Sequence, residues 1–228
     1  MSQPPIFVTF ALPEESQDFR KAIGRGPQVS IRVEHFGVGP ATAAKRVNSL
    51  LAGPKPRLLV CAGFAGGLDP KLRSGDLVVA ENLSSAEVLD RVRMVVPTAT
   101  PFVFGSILSR ALPVESVADK AALFRETGAL AVDMESEAVA AACRTAGVPL
   151  LVVRTISDPA DAALPVPFAD WFNLEGQRPR IPGLLKYLAT HPGHIFPFAK
   201  FVRGLAPARQ ALTRFLLELA LISDHSAF

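Results

Sequence analysis

The segment AVDMESEAVAAACRTAGVPLLVVRTISDPAD, residues 131–161, reads as a short apolar strand, an alanine-rich helix that ends at a glycine, and a long apolar strand. Four charged residues stand at the ends of these elements: Asp133 and Glu135 before the helix, and Arg154 and Asp158 within and at the end of the second strand. An isolated charge is costly to bury, so each of these side chains needs a partner or a ligand. The segment predicts a β–α–β unit with polar residues gathered at its strand ends.

Strands and helices also alternate through the rest of the first 175 residues. Strands are predicted at 5–12, 28–39, 57–68, 75–83, 102–109, 129–134 and 148–158, and helices at 13–23, 40–52, 114–128 and 135–147. Several of these strands are apolar throughout, which is typical of a sheet that helices cover on both faces. The pattern predicts an α/β fold with a largely parallel sheet, whose ligands would collect at the carboxyl ends of the strands.

The composition predicts a folded chain, and the sequence is not expected to be that of a secreted protein. Its 228 residues are 49% hydrophobic, and a mean hydropathy of +0.29 excludes a disordered chain. The amino terminus lacks a secretion signal, and no apolar run reaches the ~20 residues that cross a bilayer. Cys61 and Cys143 are expected as buried thiols of a reduced, cytoplasmic protein. The four histidines show no metal-ligand spacing, so no metal is expected.

Two patterns at strand ends suggest ligand contacts, and each has a plain structural alternative. The run AGFAGGL, residues 62–68, allows close approach of a ligand at Gly63, but it also suits a tight turn after a strand. Met134 and Glu135 suit a sugar, because a carboxylate accepts hydrogen bonds from vicinal hydroxyls while a thioether packs on the ring. Acidic residues also suit the first turn of any helix, and that interpretation is favoured when the pattern is taken alone. Asp133 is interpreted as structural.

Asp158, Arg154 and Glu15 have similar alternatives. Asp158 is a candidate general acid near neutral pH, or a turn residue before Pro159. Arg154 lies in an apolar strand and needs a carboxylate partner, for which Glu15 is a candidate. Glu15 follows the first predicted strand, but it also suits the first turn of the helix at 13–23. The residues taken one by one leave these assignments open.

Taken together, these residues resemble the purine nucleoside phosphorylase/nucleosidase superfamily, in particular its methylthioadenosine/S-adenosylhomocysteine nucleosidases. The similarity covers about residues 5–172 and is most specific in 131–161, which matches the family signature V-[DE]-M-E-x-x-A-x-A…G-V-P-x-x-V-R-x-I-S-D. The runs FALPEE and GFAGGLDPKLRSGDLVV follow the family order. The resemblance implies a three-layer α/β/α sandwich around a central mixed sheet, cleavage of a purine nucleoside, and a homodimer or larger homo-oligomer.

The resemblance also implies catalytic roles for three residues. Asp158 would protonate the leaving purine at N7, and Glu15 would activate the attacking water. Arg154 would organise these acids. The transition state would resemble an oxocarbenium ion that nearby carboxylates stabilise. No cofactor is implied.

Substrate contacts follow from the same resemblance. Glu135 would accept hydrogen bonds from the ribose hydroxyls, with Met134 packed on the sugar. Phe168 would line the pocket for the 5′ substituent. Val114 ends the segment SRALPV, residues 109–114, which aligns with the purine-stacking residues of the family but lacks their usual Asp and Phe.

The glycine-rich run departs from the family at two positions. Gly63 and Phe64 are expected at the ribose and nucleophile side of the substrate, but the position of Phe64 usually carries a small hydroxyl residue. Bacterial phosphorylases carry Arg where this chain has Cys61. A phosphate dianion needs charge-assisted donors, so this run favours water as the nucleophile. Phosphorolysis, with phosphate as co-substrate, and a non-catalytic nucleoside- or lipid-binding role stay open as alternatives.

Residues 176–228 form a basic, apolar helical extension beyond the catalytic domain predicted at 1–175. They hold seven Lys/Arg and two Asp/Glu, whereas the first 175 residues hold 17 and 19. The extension reads as helical pieces broken by prolines and resembles the tail of hopanoid-associated phosphorylase-like members, whose proposed substrate is adenosylhopane. That resemblance implies an adenosine with an apolar 5′ group.

Two locations are open for the extension. Cationic amphipathic helices can lie on an anionic membrane, which would make the cytoplasmic protein peripheral at the inner membrane face. Packing on the catalytic domain or on a dimer mate explains the same composition. Nucleic acid is not expected as a partner, because no binding motif accompanies the basic residues.

Overall fold

A computed structural model of the protein describes residues 4–24, 30–95 and 100–225; residues 28 and 29 of the predicted strand 28–39 lie outside this part. The first half of the chain contains β1 (Ile6–Phe10), α1 (Pro13–Ile23), β2 (Ile31–His35), α2 (Pro40–Leu51), β3 (Leu58–Gly67), β4 (Leu77–Ala80), α3 (Ala86–Val95), β5 (Phe102–Gly105) and β6 (Ile107–Ser109). The second half contains α4 (Val117–Thr127), β7 (Ala131–Asp133), α5 (Ser136–Ala146), β8 (Leu150–Asp158), α6 (Phe168–Trp171), β9 (Phe172–Asn173), β10 (Arg178–Pro179), α7 (Ile181–Thr190), a 3-10 turn (Pro192–His194) and α8 (Ile195–His225).

Eight of the strands form one mixed sheet. Its order is β2-β1-β3-β8-β4-β5, with β7 added to the end of β3 and β6 added to β7. β4 runs antiparallel to β8, and β7 antiparallel to β3, while the other pairs are parallel. The predicted sandwich with a mixed, largely parallel sheet is confirmed.

Two apolar cores on opposite faces of the sheet give the fold its three layers. In β1, Phe7 belongs to one core, whereas Ile6 and Val8 belong to the other. Helices α2 and α5 cover the Phe7 face, and α1, α3 and the second half of α8 cover the opposite face. This division follows from the two-residue period of a strand, which sends neighbouring side chains to opposite faces.

The glycine-rich run continues β3 and does not form the predicted turn. Gly66 pairs with Val132 and Gly67 with Ala131 on the antiparallel β7, and Gly66 also faces Asp158 on β8. Strands on both sides supply partners for the backbone, so the run stays extended where a free loop would turn. The result is that the ends of β7 and β8 meet at the same point of the sheet.

Two other elements differ from the sequence prediction. The strand predicted at 102–109 is two strands separated at Ser106, because β5 pairs with β4 and β6 pairs with β7. Helix α3 lies in a segment for which the sequence predicts no element, although Val88, Leu89 and Val92 form its buried face. Among the side chains of α3 that the structure describes, these three mark the helical period, which is too short a pattern to stand out.

The C-terminal extension contains helix α7, the 3-10 turn Pro192–His194 and the long helix α8, so the expected helical pieces are present, but Pro207 does not break α8. Pro207 lies inside α8, and the buried face beyond it includes Ala208, Leu212 and Phe215. A proline inside a helix costs about 3 kcal/mol, and burial of several apolar side chains in the second core offsets this. Among the described residues, no helix is both long enough and apolar enough to span a membrane.

Candidate active site

The carboxyl ends of β1, β3, β7 and β8 surround a cavity of about 180 Å³. Seven of the nine predicted site residues line it: Glu15, Phe64, Val114, Met134, Glu135, Asp158 and Phe168. The other two, Gly63 and Arg154, lie against Glu15 without belonging to the lining. The fold therefore gathers all nine residues in one place, and the chemical role of each stays a prediction.

Glu15 projects from the first turn of α1, just after β1, and its side chain is buried. Its Oε2 accepts a hydrogen bond from the backbone N–H of Leu12 at 2.9 Å, and Oε1 accepts one from Phe64 at 3.0 Å. Burial raises the pKa of Glu15, while the Arg154 guanidinium and these N–H donors oppose the rise. A carboxylate with a raised pKa at a cavity wall is suited to take a proton from water.

Arg154 is fully buried in β8, and its ion pair is with Asp133, where Glu15 had been the expected partner. Nη2 lies 2.7 Å from Asp133 Oδ2, and Nε and Nη2 donate to Ser136 Oγ at 3.1 and 2.9 Å. Glu15 forms no ion pair with Arg154, and its oxygens accept hydrogen bonds from the backbone N–H groups of Leu12 and Phe64. The Arg154 guanidinium still opposes the rise in the pKa of Glu15 and Glu135 through space. Asp133 also lines the cavity, so its structural role stays a prediction.

Gly63 provides the space in which Arg154 and Glu15 approach each other. A Cβ at this position would lie 2.3 Å from Arg154 Nη1 and 3.0 Å from Glu15 Oε1. The first distance is far inside van der Waals contact, so no side chain fits unless the guanidinium moves. The next residue, Phe64, donates its backbone N–H to Glu15. The half-buried residue Phe64 also lines the cavity.

Glu135 and Met134 follow β7 and line the cavity. Both are buried, and Glu135 Oε1 accepts a hydrogen bond from the backbone N–H of Gly39 at 2.7 Å. Burial and the neighbouring Asp133 carboxylate raise the pKa of Glu135 to about 7, while Arg154 opposes this. The second carboxylate oxygen makes no protein hydrogen bond among the described residues, and sugar hydroxyls are donors that suit it.

The raised pKa of Glu135 predicts a stability difference that depends on pH. Unfolding returns the pKa from about 7 to its ordinary 4.5. Between these values the folded chain holds a proton that the unfolded chain has released, so stability falls as pH rises. Replacing Glu135 with glutamine removes this dependence. We expect the variant to gain about 3 kcal/mol relative to the natural chain between pH 4 and pH 8. Urea unfolding of both proteins across that range measures it, and parallel stability curves would contradict it.

Asp158 ends β8 next to the cavity, and two side chains hold its carboxylate. Lys120 Nζ lies 2.6 Å from Oδ2, and Ser157 Oγ donates to Oδ1 at 2.5 Å. Lys120 was not among the predicted site residues, and it is fully buried on the inner face of α4. Its spacing of three residues from the buried Leu123 was the available signal, because it puts a lysine on the apolar face of a helix.

A wider cleft of about 1090 Å³ adjoins the cavity at Val114 and Phe168, which line both spaces. Apolar residues such as Leu112 and Phe172 line much of it. Phe168 packs its ring at 5.2 Å and 5.3 Å from the rings of Trp171 and Phe172. Phe168 thus lies between the small cavity that holds the carboxylates and a large space that suits an apolar substituent.

Neither cysteine has the character of a nucleophile. Cys61 and Cys143 are free and buried, and burial raises the pKa of each thiol to about 12. Within the described ranges, no three His, Cys, Asp or Glu side chains are grouped to hold a metal ion. The acid–base groups of the site are therefore its carboxylates.

Comparison with known proteins gives one family match and many related chains. A family model described as the phosphorylase superfamily matches residues 10–178. A 5′-methylthioadenosine/S-adenosylhomocysteine nucleosidase of Marinomonas sp. (strain MWYL1) is 27% identical over 188 residues, which cover 68% of this chain and 79% of that protein.

Solved structures show the same fold. A futalosine hydrolase of Helicobacter pylori strain 26695 superposes with a TM-score of 0.70 at 20% identity, covering 98% of both chains. A 5′-methylthioadenosine/S-adenosylhomocysteine nucleosidase from Helicobacter pylori, crystallised with butyl-thio-DADMe-Immucillin-A, has a TM-score of 0.70 at 19% identity, covering 99% of this chain and 100% of that one. This coverage includes most of the C-terminal extension.

Proposed function

Because the chain belongs to the phosphorylase superfamily, we propose that it hydrolyses the N-glycosidic bond of a purine nucleoside. The observation that carries the proposal is the single cavity to which Glu15, Glu135 and Asp158 all contribute. The similar proteins bear the names nucleosidase and hydrolase, which supports the same class of reaction.

In this reaction each carboxyl group handles one part of the substrate. Asp158 gives a proton to purine N7 as the bond from the ribose C1′ to N9 breaks, and the bonding electrons leave with the base. Glu135 holds the ribose hydroxyls. Glu15 takes a proton from the water that attacks C1′, so the products are a neutral purine and a free sugar. The carboxylates around the cavity stabilise the positive charge that develops on the sugar.

Water is favoured over phosphate because of the charge on the cavity wall. Among the described residues that line the cavity, none is Lys or Arg. Lys120 and Arg154 do not line the cavity. Lys120 forms an ion pair with Asp158, and Arg154 forms one with Asp133. A phosphate dianion would meet carboxylates without charge-assisted donors. Phosphorolysis is the alternative, and it would need a cation from elsewhere.

The substrate within this class is an adenosine with a long apolar 5′ group, of the adenosylhopane kind. The support is the cleft of about 1090 Å³ that opens from the cavity at Phe168. A smaller apolar group, butyl-thio, is named in the inhibitor crystallised with one Helicobacter pylori relative. A saturated chain buried along Phe168 and the cleft would gain roughly 0.8 kcal/mol for each buried CH₂.

Adenine release from nucleosides of increasing 5′ chain length tests this substrate class. We expect kcat/KM to rise from 5′-methylthioadenosine to a 5′-decyl analogue. Phe168→Ala is expected to reduce kcat/KM for the long analogue about tenfold to a hundredfold, because a buried Phe contributes about 1.5–3 kcal/mol. Phe168→Leu is the matched control, since it keeps an apolar side chain and should lose much less. A flat dependence on chain length would contradict the apolar 5′ group and leave the nucleosidase reaction standing.

The partner that fits the C-terminal extension is an anionic membrane surface. Residues 176–207 contain five Lys/Arg and no Asp/Glu, and none of these residues is buried. Large apolar side chains are exposed among them, including Phe196 at 75%, Leu185 at 62% and Ile181 at 54%. Exposed apolar side chains beside cations match the boundary between acyl chains and anionic headgroups.

Co-sedimentation with lipid vesicles measures this contact. Binding is expected with vesicles that contain phosphatidylglycerol, and it should weaken with salt and with phosphatidylcholine alone. Lys200→Glu with Arg203→Glu should reduce binding by at least about tenfold. Arg125→Glu with Arg144→Glu, exposed residues outside the extension, is the matched control and should bind normally. Equal binding by all variants, or none by any, would contradict the contact.

The expected homo-oligomer is a separate prediction that light scattering tests.

A further inference from the structure

Lys120 is a fully buried lysine that no step of the proposed reaction uses. Its Nζ donates to Asp158 Oδ2 at 2.6 Å and to three backbone carbonyls of the same loop: Asp158 at 3.3 Å, Pro159 at 3.1 Å and Ala162 at 2.8 Å. Its side chain is 0% exposed, and it does not line the cavity. An ammonium group has three hydrogens, so these four oxygens satisfy it completely.

The helix that carries Lys120 gives no reason for a lysine at this position. Lys120 lies at the amino-terminal end of α4, where a positive charge opposes the helix dipole. It lies on the apolar face with Leu123, where another leucine would be buried without the cost of desolvating a charge. Lysine is almost never fully buried unless it is paired. The reason for this residue therefore lies at its partner, Asp158.

The glycine-rich end of β3 also packs closely against Lys120 and Asp158. A Cβ at Gly66 would lie 3.2 Å from Asp158 Oδ2 and 3.8 Å from Lys120 Cε. Gly66 faces Asp158 across the sheet, at a register shift between β3 and β8. Three elements, α4, β3 and β8, thus fit closely around one carboxylate.

We propose that Lys120 is a positioning residue that fixes the Asp158 carboxyl group for proton transfer to the leaving purine, which rests on the proposed function. Lys120, which does not line the cavity, donates a hydrogen bond to Oδ2, and Ser157 Oγ donates one to Oδ1. Together they prevent rotation of the carboxyl group. Lys120 also ties the backbone of residues 158–162, so the loop that follows the acid cannot shift. Proton transfer requires a heavy-atom separation of about 2.6–3.2 Å, and a displacement of about 1 Å costs on the order of a hundredfold in rate.

Lys120→Met keeps the length of the side chain and removes the ammonium group. We expect kcat for adenine release to fall roughly tenfold to a hundredfold with little change in KM, because the groups that bind ribose are untouched. Thermal unfolding checks that the variant folds. Lys120→Gln, which keeps a hydrogen-bond donor without the charge, takes its place if it does not.

Two readouts separate positioning from a general structural role. The first is p-nitrophenyl riboside, whose leaving group departs as a stable anion without protonation; Lys120→Met should spare its hydrolysis. The second is a double-mutant cycle: in an Asp158→Asn background, Lys120→Met should cause no further loss. Equal losses on both substrates, or losses that multiply in the double variant, would overturn the proposal.

Failure of the proposed function has a different signature. The natural chain would then release neither adenine nor nitrophenolate. In that case, affinity still tests the position of Asp158, by comparison of 9-deazaadenosine, which carries a hydrogen on N7, with adenosine. Lys120→Met should weaken only 9-deazaadenosine, about tenfold. Equal affinities in the variant and the natural chain would overturn the inference.

Discussion

Asp158→Asn is expected to slow adenine release by a factor of about 10²–10⁴, the range that general acid catalysis contributes. Asparagine keeps the shape of the side chain but cannot give a proton to purine N7, so the base must leave as an anion. Binding of the intact nucleoside should change little, because Glu135, Met134 and Phe168 supply the other contacts. Steady-state kinetics should therefore show the loss in kcat.

The matched control is Asp161→Asn, the same chemical change at an exposed position three residues further along the chain. Its kcat should equal that of the natural chain. The Asp158 variant also leaves Lys120 without its carboxylate, so its unfolding temperature is measured and the assay is kept well below it. Undiminished adenine release by a folded Asp158→Asn variant would contradict the acid role.

Arg154→Met is expected to have the largest effect on stability, a loss of about 3–5 kcal/mol. The side chain is fully buried, and its loss leaves Asp133 buried without a cation. Ser136 Oγ loses its two donors as well. Glu15 and Glu135 also lose the Arg154 guanidinium, the positive charge that opposes the rise in both of their pKa values. Methionine fills much of the volume but compensates none of this charge.

Urea unfolding at neutral pH measures the loss. Arg144→Met is the matched control, because Arg144 is exposed on α5 and its replacement should change stability by no more than about 0.5 kcal/mol. Acidification should partly rescue Arg154→Met, since protonation removes the negative charges of the buried Glu15 and Glu135 carboxylates, whose pKa values are raised. An Arg154→Met variant as stable as the control would show that the buried network is not held together by this guanidinium.

The segment 131–161 allowed much of the fold to be predicted, because its apolar strands, its helix and its charges all follow local rules. Gly147 ends α5 with a left-handed φ of 64°, as a glycine after a helix predicts. Asp158 ends β8 where parallel strands gather their ligands, whereas Glu135 reaches the same cavity from β7, which runs antiparallel to β3. These features depend on neighbours in sequence or on a general property of sheets.

Contacts between distant segments could not be predicted in the same way. Arg154 visibly needed a carboxylate, but only the pairing of β3, β7 and β8 decides that Asp133 is the one within reach. The glycine-rich run reads locally as a turn, and it becomes strand because β7 approaches Gly66 and Gly67. Lys120 looks like an ordinary helix lysine until α4 packs over Asp158.

The C-terminal extension shows the same limit on a larger scale. Its prolines predict breaks, and Pro207 alone would favour one. The helix continues because Leu212 and Phe215 are buried against the sheet, a tertiary contact that exceeds the local preference. Residues 176–207 contain no buried residue, and the proposed membrane contact concerns their exposed apolar and basic side chains.

The most direct test of the account is the identity of the sugar product. The natural chain is incubated with a 5′-alkyl adenosine in phosphate buffer, and the products are separated by chromatography and examined by ³¹P NMR. Hydrolysis predicts adenine and a free 5-alkylribose as products, with no phosphate ester and an unchanged rate when phosphate is omitted. A ribose 1-phosphate product that disappears without phosphate would contradict hydrolysis, and the absence of adenine release would contradict the proposed reaction altogether.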